Sequence, residues 1–378
     1  MATALINPGM LIWARERSGI ALPDFASRMG KSPERIAEWE SGLKPITFVQ
    51  ARQFADKAHV PFGYLFLQKP PIDELPIPDL RTLDGRSVSR PSAELLDLLK
   101  LMQQRQSWYR DFLMEEDAAP CGFVARFRAS DAVEAIVTDM RQSLGLDQQA
   151  PRGDWEQYYR DLIKRIEALG ILVMRQSFLG HYTRPLLVEE FRGFAMVDTY
   201  APLIFLNTAD APAARLFTLI HELCHIWIGQ SGISDASPLN QRQEEVLCNA
   251  VAAEFLVPAV EFDRLWNRNL DDWRDNLAAL RAHFHVSDWV LARRALTLGF
   301  IDQNEYGGFI AALKRAWQDK ENNGAISFYR TRAAWISTRF AQALVPQALN
   351  GQVLLREAGA MLGIPPAGLH KFAKELGI

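Results

Sequence analysis

The residues with the clearest chemical potential are His221, Glu222 and His225, which form a His-Glu-x-x-His pattern. On a helix, residues four positions apart lie one above the other, so both imidazoles can reach one metal ion. Glu222 directly follows the first histidine, where its carboxylate can accept a proton from water and pass it to a leaving amine. The pattern therefore predicts a zinc peptidase with Glu222 as its catalytic residue.

A five-residue pattern with three fixed letters also arises by chance, so the alternative is a surface helix without chemistry. The surrounding sequence favours the metal site. Residues 204–207 predict a strand, and residues 217–220 carry an apolar helical face into the pattern. Glu245 lies twenty positions after His225 on a second helical stretch. Two histidines and a later glutamate would bind zinc and leave its fourth position open for water.

Three glutamates follow the pattern closely enough in sequence to be the third ligand, and helical geometry separates them. At about 100° per residue, Asn249 falls within about 40° of Glu245, whereas Glu244 is about 100° away and Glu254 lies on the opposite side. We therefore predict Glu245 as the ligand. On the same face, the amide of Asn249 can orient His221, and Thr218 is a further candidate for such support.

Two stretches around these residues resemble the ImmA/IrrE-type metallopeptidases that are fused to an N-terminal helix-turn-helix. The resemblance rests on residues 215–225 and 245–258. It implies a gluzincin that cleaves repressor proteins, in stress or mobile-element regulation. Cys224 and Cys248 stand where glycine and alanine are common in that family, and both are small residues.

The head of the chain, residues 9–67, predicts five short helices separated by glycine and proline. Residues 22–33 fit a helix, a tight turn and a second helix; Ser32 would cap this second helix and Pro33 would begin it, so residues 34–40 would be the recognition helix of a helix-turn-helix. This pattern resembles a lambda-repressor-like (XRE-type) domain. The outward-facing residues, which we predict to bind DNA, are Ser32, Arg35 and Glu38.

The charge of the head is nearly balanced, since residues 1–60 hold eight Lys and Arg against six Asp and Glu. Such a small positive surplus is weak for binding phosphates. We expect the head to bind double-stranded DNA, and the alternative is a helical head that binds only protein.

The remaining chain predicts an α+β fold that is mostly α. Residues 171–174, 193–197 and 203–206 predict short strands of a small, mostly antiparallel sheet, packed on the His-Glu-x-x-His helix in a zincin-like domain. An edge strand of that sheet could hold substrate by β-addition. The predicted domains are a helix-turn-helix head at 1–68, a proline-rich linker at 69–90, a peptidase domain at 91–270 with its core at 155–260, and a helical C-terminal domain at 271–378.

Composition limits the class of protein. Of the 378 residues, 48% are hydrophobic and 23% are charged, which is an ordinary globular balance, and three scattered cysteines favour a reducing cytoplasm over a disulfide framework. No apolar run is long enough to predict a membrane span. We expect a cytoplasmic zinc endopeptidase that acts on a protein substrate. The alternative is a DNA-binding regulator or antitoxin whose peptidase fold only senses a ligand or binds protein.

Overall fold

The computed structural model describes residues 4–72, 77–78, 82–83, 86–87, 91–146, 152–234, 242–317 and 335–377. The fold is α+β and mostly helical, as the sequence predicts. The chain divides into two compact units, Met1–Pro76 with Ser89–Lys100 and Ile77–Val88 with Leu101–Ile378. Parts of the predicted linker at 69–90 and of the predicted C-terminal domain lie outside the described residues, and the domain bounds stay predictions. Among the described helices, each is too short or too polar to traverse a lipid bilayer.

The first unit begins with α1 (Pro8–Arg17), α2 (Leu22–Met29), α3 (Pro33–Glu40), α4 (Phe48–Ala58) and a 3₁₀ turn at Phe62–Phe66. The Ser32 hydroxyl accepts a hydrogen bond from the backbone N–H of Arg35, so α3 starts where the sequence predicts. Ile36 and Trp39 are buried in the core of this unit. The fifth predicted helix is the 3₁₀ turn, a geometry that proteins use for short helical pieces.

The helices that follow are α5 (Ala93–Glu115), α6 (Val133–Ser143), α7 (Trp155–Ala168), α8 (Pro212–Ile228), α9 (Gln243–Leu256), α10 (Ala259–Leu265), α11 (Asn276–Phe284), α12 (Asp288–Thr297), α13 (Gln303–Trp317), α14 (Thr338–Leu349), α15 (Leu355–Leu362) and α16 (Leu369–Leu376). Two 3₁₀ turns lie at Trp273–Asp275 and Pro366–Gly368. The largest buried cluster joins α6, α7, α8, α9, α11 and α12 to the sheet. The helix that carries the His-Glu-x-x-His pattern is therefore part of the main core of the second unit.

The described strands form two sheets. A small antiparallel pair consists of β1 (Thr82–Leu83) and β2 (Arg86–Ser87). The larger sheet has the order β3-β5-β4-β6, with β3 (Leu172–Gln176), β4 (Gly193–Met196), β5 (Leu203–Asn207) and β6 (Gly232–Ser234). The β3–β5 pair is parallel and the other two pairs are antiparallel, which makes the sheet mixed. The sequence did not predict β6, since three residues are too few to display a periodic pattern.

Helix α8 is fixed at both ends by local contacts. Before its first turn, the Asp210 carboxylate accepts hydrogen bonds from the Ala211 N–H at 2.8 Å and from the Arg192 guanidinium at 2.9 Å. At its end, Gly229 has a φ of 70°, and a Cβ there would lie 2.6 Å from the Cβ of Ala125. Only glycine combines this left-handed backbone with so close an approach. The side chains in the second half of α8 are buried on all sides, which holds its polar residues in fixed positions.

Candidate metal centre

Three predicted ligands come together in the core of the second unit. The Nε2 atoms of His221 and His225, one turn apart on α8, lie 3.2 Å from each other. From the first turn of α9, the two carboxylate oxygens of Glu245 lie 3.3 Å from Nε2 of His221 and 3.1 Å from Nε2 of His225. A tetrahedral ion with ligand bonds of about 2.0–2.1 Å holds its ligand atoms about 3.3 Å apart. These distances are close to that value, so the three side chains can offer donor atoms to one ion.

Burial supports the same fit. His221, Glu222, His225 and Glu245 are all fully buried. Among the described residues, neither oxygen of Glu222 nor either oxygen of Glu245 has a hydrogen bond of normal geometry. Buried carboxylate oxygens without partners are costly, and a cation held between the donors would offset that cost. The donor set of two imidazoles and one carboxylate therefore fits a metal ion.

Asn249 lies one turn after Glu245 on α9, and its Oδ1 is 3.1 Å from Nδ1 of His221. When this amide oxygen accepts, Nδ1 carries the proton and Nε2 keeps its lone pair for a metal. The two rejected glutamates lie elsewhere. Glu244 is half-buried outside the donor cluster. Glu254 accepts hydrogen bonds from the backbone N–H of Ala259 and from the guanidinium of Arg294.

Thr218 supports the site by packing. Its hydroxyl donates to the backbone oxygen of Ala214 one turn earlier on α8, at 3.0 Å, and so is not directed at His221. Its methyl group faces β4, where a Cβ on Gly193 would lie only 2.7 Å from it. The structure therefore places Thr218 beside the site, with its polar group bonded within its own helix.

Two residues at the site were missed from the sequence. Gly193 on β4 leaves the space in which the Glu222 carboxylate lies, since a Cβ there would be 3.0 Å from Oε1. Ser234 on β6 pairs with Gly193 across the sheet, and its buried hydroxyl lies 3.5 Å from Nε2 of His225. A glycine inside a strand is a sequence signal for close approach. The sequence carries no comparable signal for Ser234, because only the pairing of β6 with β4 brings this residue to the histidines.

Burial and mutual charge set the protonation of these groups. Burial raises the pKa of Glu222 to about 8, although His221 and the Ser234 hydroxyl oppose the shift. Burial also disfavours the charged form of His221, but Glu245 and then Glu222 outweigh it and raise its pKa to about 9. For His225, burial prevails and lowers the pKa. For Glu245, burial is outweighed by the two histidines, which lower its pKa. The Glu245 carboxylate is thus held ionised, which is the form in which it can bind a metal.

The residues predicted to bind DNA lie on or beside α3 in the first unit. Ser32 is exposed, while Arg35 and Glu38 are partly exposed. The Glu38 carboxylate forms one ion pair with the Arg35 guanidinium, at 3.0 Å, and another with the Lys44 ammonium group, at 2.8 Å. Arg35 thus lies at the surface, where it is ion-paired with a carboxylate of its own helix.

Comparison with known protein families gives two matches, and both lie in the second unit. Residues 166–296 match the Peptidase M78 family model, described as an IrrE N-terminal-like domain. This range runs from the end of α7 to α12 and includes the four chemical residues, which supports a metallopeptidase-like function at the level of the family. Residues 336–375 match a model described as a domain of unknown function, DUF8813. Neither range includes the head, so its XRE-type assignment stays a prediction. No curated protein matches the chain.

Proposed function

We propose that this protein is a zinc-dependent endopeptidase in which His221, His225 and Glu245 bind zinc and Glu222 moves the proton. The observation that carries the proposal is the cluster of donor atoms, in which the two Nε2 atoms lie 3.2 Å apart and each lies within 3.3 Å of one oxygen of the Glu245 carboxylate. Two imidazoles and a carboxylate favour zinc over magnesium and calcium, which prefer oxygen ligands. When bound, zinc supplies a Lewis acid that favours the ionisation of water and polarises a carbonyl group.

Residues of the chain itself would transfer the proton and position the reacting groups. Glu222 is directly adjacent in sequence to His221, and its ionised carboxylate, which a bound cation would favour over the protonated form, can accept a proton from water and return it to the leaving nitrogen of the cleaved peptide bond. Gly193 gives this carboxylate its place against the sheet. Asn249 holds the ring of His221 from the side opposite its Nε2. These positions are fixed by strands and buried helices, which favours a well-ordered reaction geometry.

The substrate that we propose is a helix-turn-helix repressor, on the basis of the resemblance to the ImmA/IrrE-type peptidases and of the head. A peptidase that carries a DNA-binding head would meet a repressor at a shared operator, where tethering raises the local concentration. We also propose that the head binds double-stranded DNA through α3, and that the protein acts in the cytoplasm. The three free cysteines support the last point.

The test uses the zinc-loaded protein and its Glu222→Gln variant. Each is incubated with the repressor-like proteins of its own cell, and mass spectrometry identifies new chain ends. We expect the unmodified protein to cut and the variant to retain zinc and fold while cleavage is lost, since the amide cannot accept the proton. Equal cleavage by the two proteins would disprove the role of Glu222.

The complete burial of the four chemical residues favours a second candidate, in which the fold serves a DNA-binding regulator as a sensing or protein-binding module. The same variant separates the two functions. A pure regulator would keep its effect on transcription in the Glu222→Gln form, whereas an endopeptidase would lose it.

A further inference from the structure

The outer edge of β6 is covered by a segment of the protein's own chain. β6 is the last strand in the order β3-β5-β4-β6, so one of its edges faces away from the sheet. An edge strand directs alternate backbone N–H and C=O groups outward, where they pair with any extended chain that is available. Here the N–H of Ile233 donates to the backbone oxygen of Pro78 at 3.1 Å. The partner of this edge is thus the stretch that the sequence presents as a linker.

This stretch is anchored by a buried side chain. Ile77 is only 8% exposed, whereas Ile72, five residues earlier, is 81% exposed. The segment Ile77–Val88 also groups with the peptidase-bearing unit, although the chain on either side of it groups with the other unit. Within the second unit, Ile77 is therefore buried and Pro78 is paired with β6 through one backbone hydrogen bond.

The covered edge runs beside the candidate metal centre. Ser234 directly follows Ile233, and its hydroxyl lies 3.5 Å from Nε2 of His225. On the neighbouring strand, Gly193 is paired with Ser234 and lies against the carboxylate of Glu222. An extended peptide laid along the outer edge of β6 would therefore pass the ligands and the proton acceptor. In the structure, in which Pro78 pairs with this edge, the four chemical residues are fully buried.

We propose that Ile77–Pro78 occupies the place along β6 that an extended substrate peptide would take, so that cleavage requires this segment to leave. The inference rests on the proposed peptidase function and adds its regulation. Proline suits such a role, because Pro78 has no N–H and can only accept a hydrogen bond from the strand edge. A substrate residue with its own N–H can both donate and accept there, which favours replacement of the segment by an extended peptide.

The test substitutes the buried Ile77 and uses the exposed Ile72 as a matched control. Ile77→Asp places a charge at the buried position, whereas Ile72→Asp places the same charge at an exposed one. Loss of one buried isoleucine contact weakens docking by about tenfold or more. We therefore expect Ile77→Asp to show roughly tenfold faster hydrogen exchange at the Ile233 amide and faster transfer of bound zinc to a chromogenic chelator. Ile72→Asp should match the unmodified protein in both measurements.

Cleavage is measured on the same three proteins, together with Ile77→Ala as a milder variant should the aspartate disturb folding. Faster exchange, faster zinc transfer and faster cleavage in the Ile77 variants alone would support the proposal. Unchanged exchange and zinc transfer in both Ile77 variants would overturn it, as would equal increases in Ile72→Asp. Faster exchange and zinc transfer with no cleavage by any of the proteins would support coverage of the edge and reject the endopeptidase function instead.

Discussion

The carboxylate of Glu222 lies against Gly193, because a Cβ on this glycine would be 3.0 Å from Oε1. The same Cβ would also lie 2.7 Å from the methyl group of Thr218 and 2.9 Å from the backbone oxygen of Phe205. The contact joins α8 to the sheet at the residue that we propose to move the proton. Any side chain at position 193 would therefore have to displace the Thr218 methyl group, the backbone of β5 and the Glu222 carboxylate, or move β4 away from them.

We therefore expect Gly193→Ala to destabilise the protein by about 1–3 kcal/mol, the usual cost of overpacking. The cleavage rate should fall by more than the loss of folded protein explains, because the new methyl group displaces the Glu222 carboxylate. Thermal unfolding and cleavage rates at a temperature where the variant is folded would measure the two effects. Gly122→Ala is the control, since a Cβ there meets nothing within 4 Å. Full cleavage by a folded Gly193→Ala protein would contradict the close contact.

A second prediction concerns the hydrogen bond between Asn249 and His221. Asn249→Ala should lower zinc affinity roughly tenfold to a hundredfold, because the ring of His221 loses the partner that fixes its tautomer and orientation. Asn249→Asp should retain more affinity, since its carboxylate can still accept from Nδ1. Competition with a chelator of known affinity would measure both. Unchanged affinity in the alanine variant would show that packing alone orients the ring.

A third prediction separates the adjacent glutamates of α9. Glu245→Ala should lower zinc affinity at least as much as Asn249→Ala, because it removes a donor atom from the cluster. Glu244→Ala should leave zinc affinity nearly unchanged, as its side chain lies outside that cluster. Zinc titration of the two metal-free proteins compares them directly. The reverse order would reject the proposed ligand set.

A fourth prediction addresses the head. Arg35→Ala should reduce binding to a specific DNA sequence and leave zinc content unchanged, since Arg35 lies on the exposed side of α3. Arg52→Ala, an exposed arginine on α4, is the control for loss of charge alone. Selection from random and genomic duplexes at low salt provides the measurement. If no sequence is enriched by the unmodified protein, the head is better explained as a protein-binding module.

A fifth prediction concerns pH and the contact of Glu261 with Arg152 and His283, at 3.0 Å and 2.6 Å. Burial disfavours the Glu261 carboxylate, but hydrogen bonds from these two side chains outweigh it and lower its pKa below the usual 4.5. A lowered pKa means that the contact stabilises the fold above about pH 4.5 and that this stability is lost as pH falls through the folded-state value. Urea unfolding should therefore show Glu261→Gln less stable than the unmodified protein at pH 7, with the difference shrinking below pH 4.5. A constant difference across this range would contradict the assignment.

The sequence by itself determined those features that depend on neighbours along one helix. The four-residue spacing of His221 and His225, the choice of Glu245 beside Asn249 and the start of α3 at Pro33 all follow from helical periodicity or capping. Such contacts span one turn, so the residue types in a short window suffice to predict them. The donor cluster and the cap at Ser32 have the geometry that this periodicity predicts.

Only the tertiary structure decided which distant segments meet at the site. β6 is three residues long and carries no periodic signal, yet its pairing with β4 brings Ser234 to the histidines. The parallel pairing of β3 with β5 and the docking of Pro78 on the edge of β6 likewise depend on strand order and on backbone hydrogen bonds. Backbone groups are the same in every residue apart from proline, so their pairing leaves little trace in the sequence. The burial of Glu222 against Gly193 follows from that pairing, because it is the assembled sheet that places this glycine under the helix.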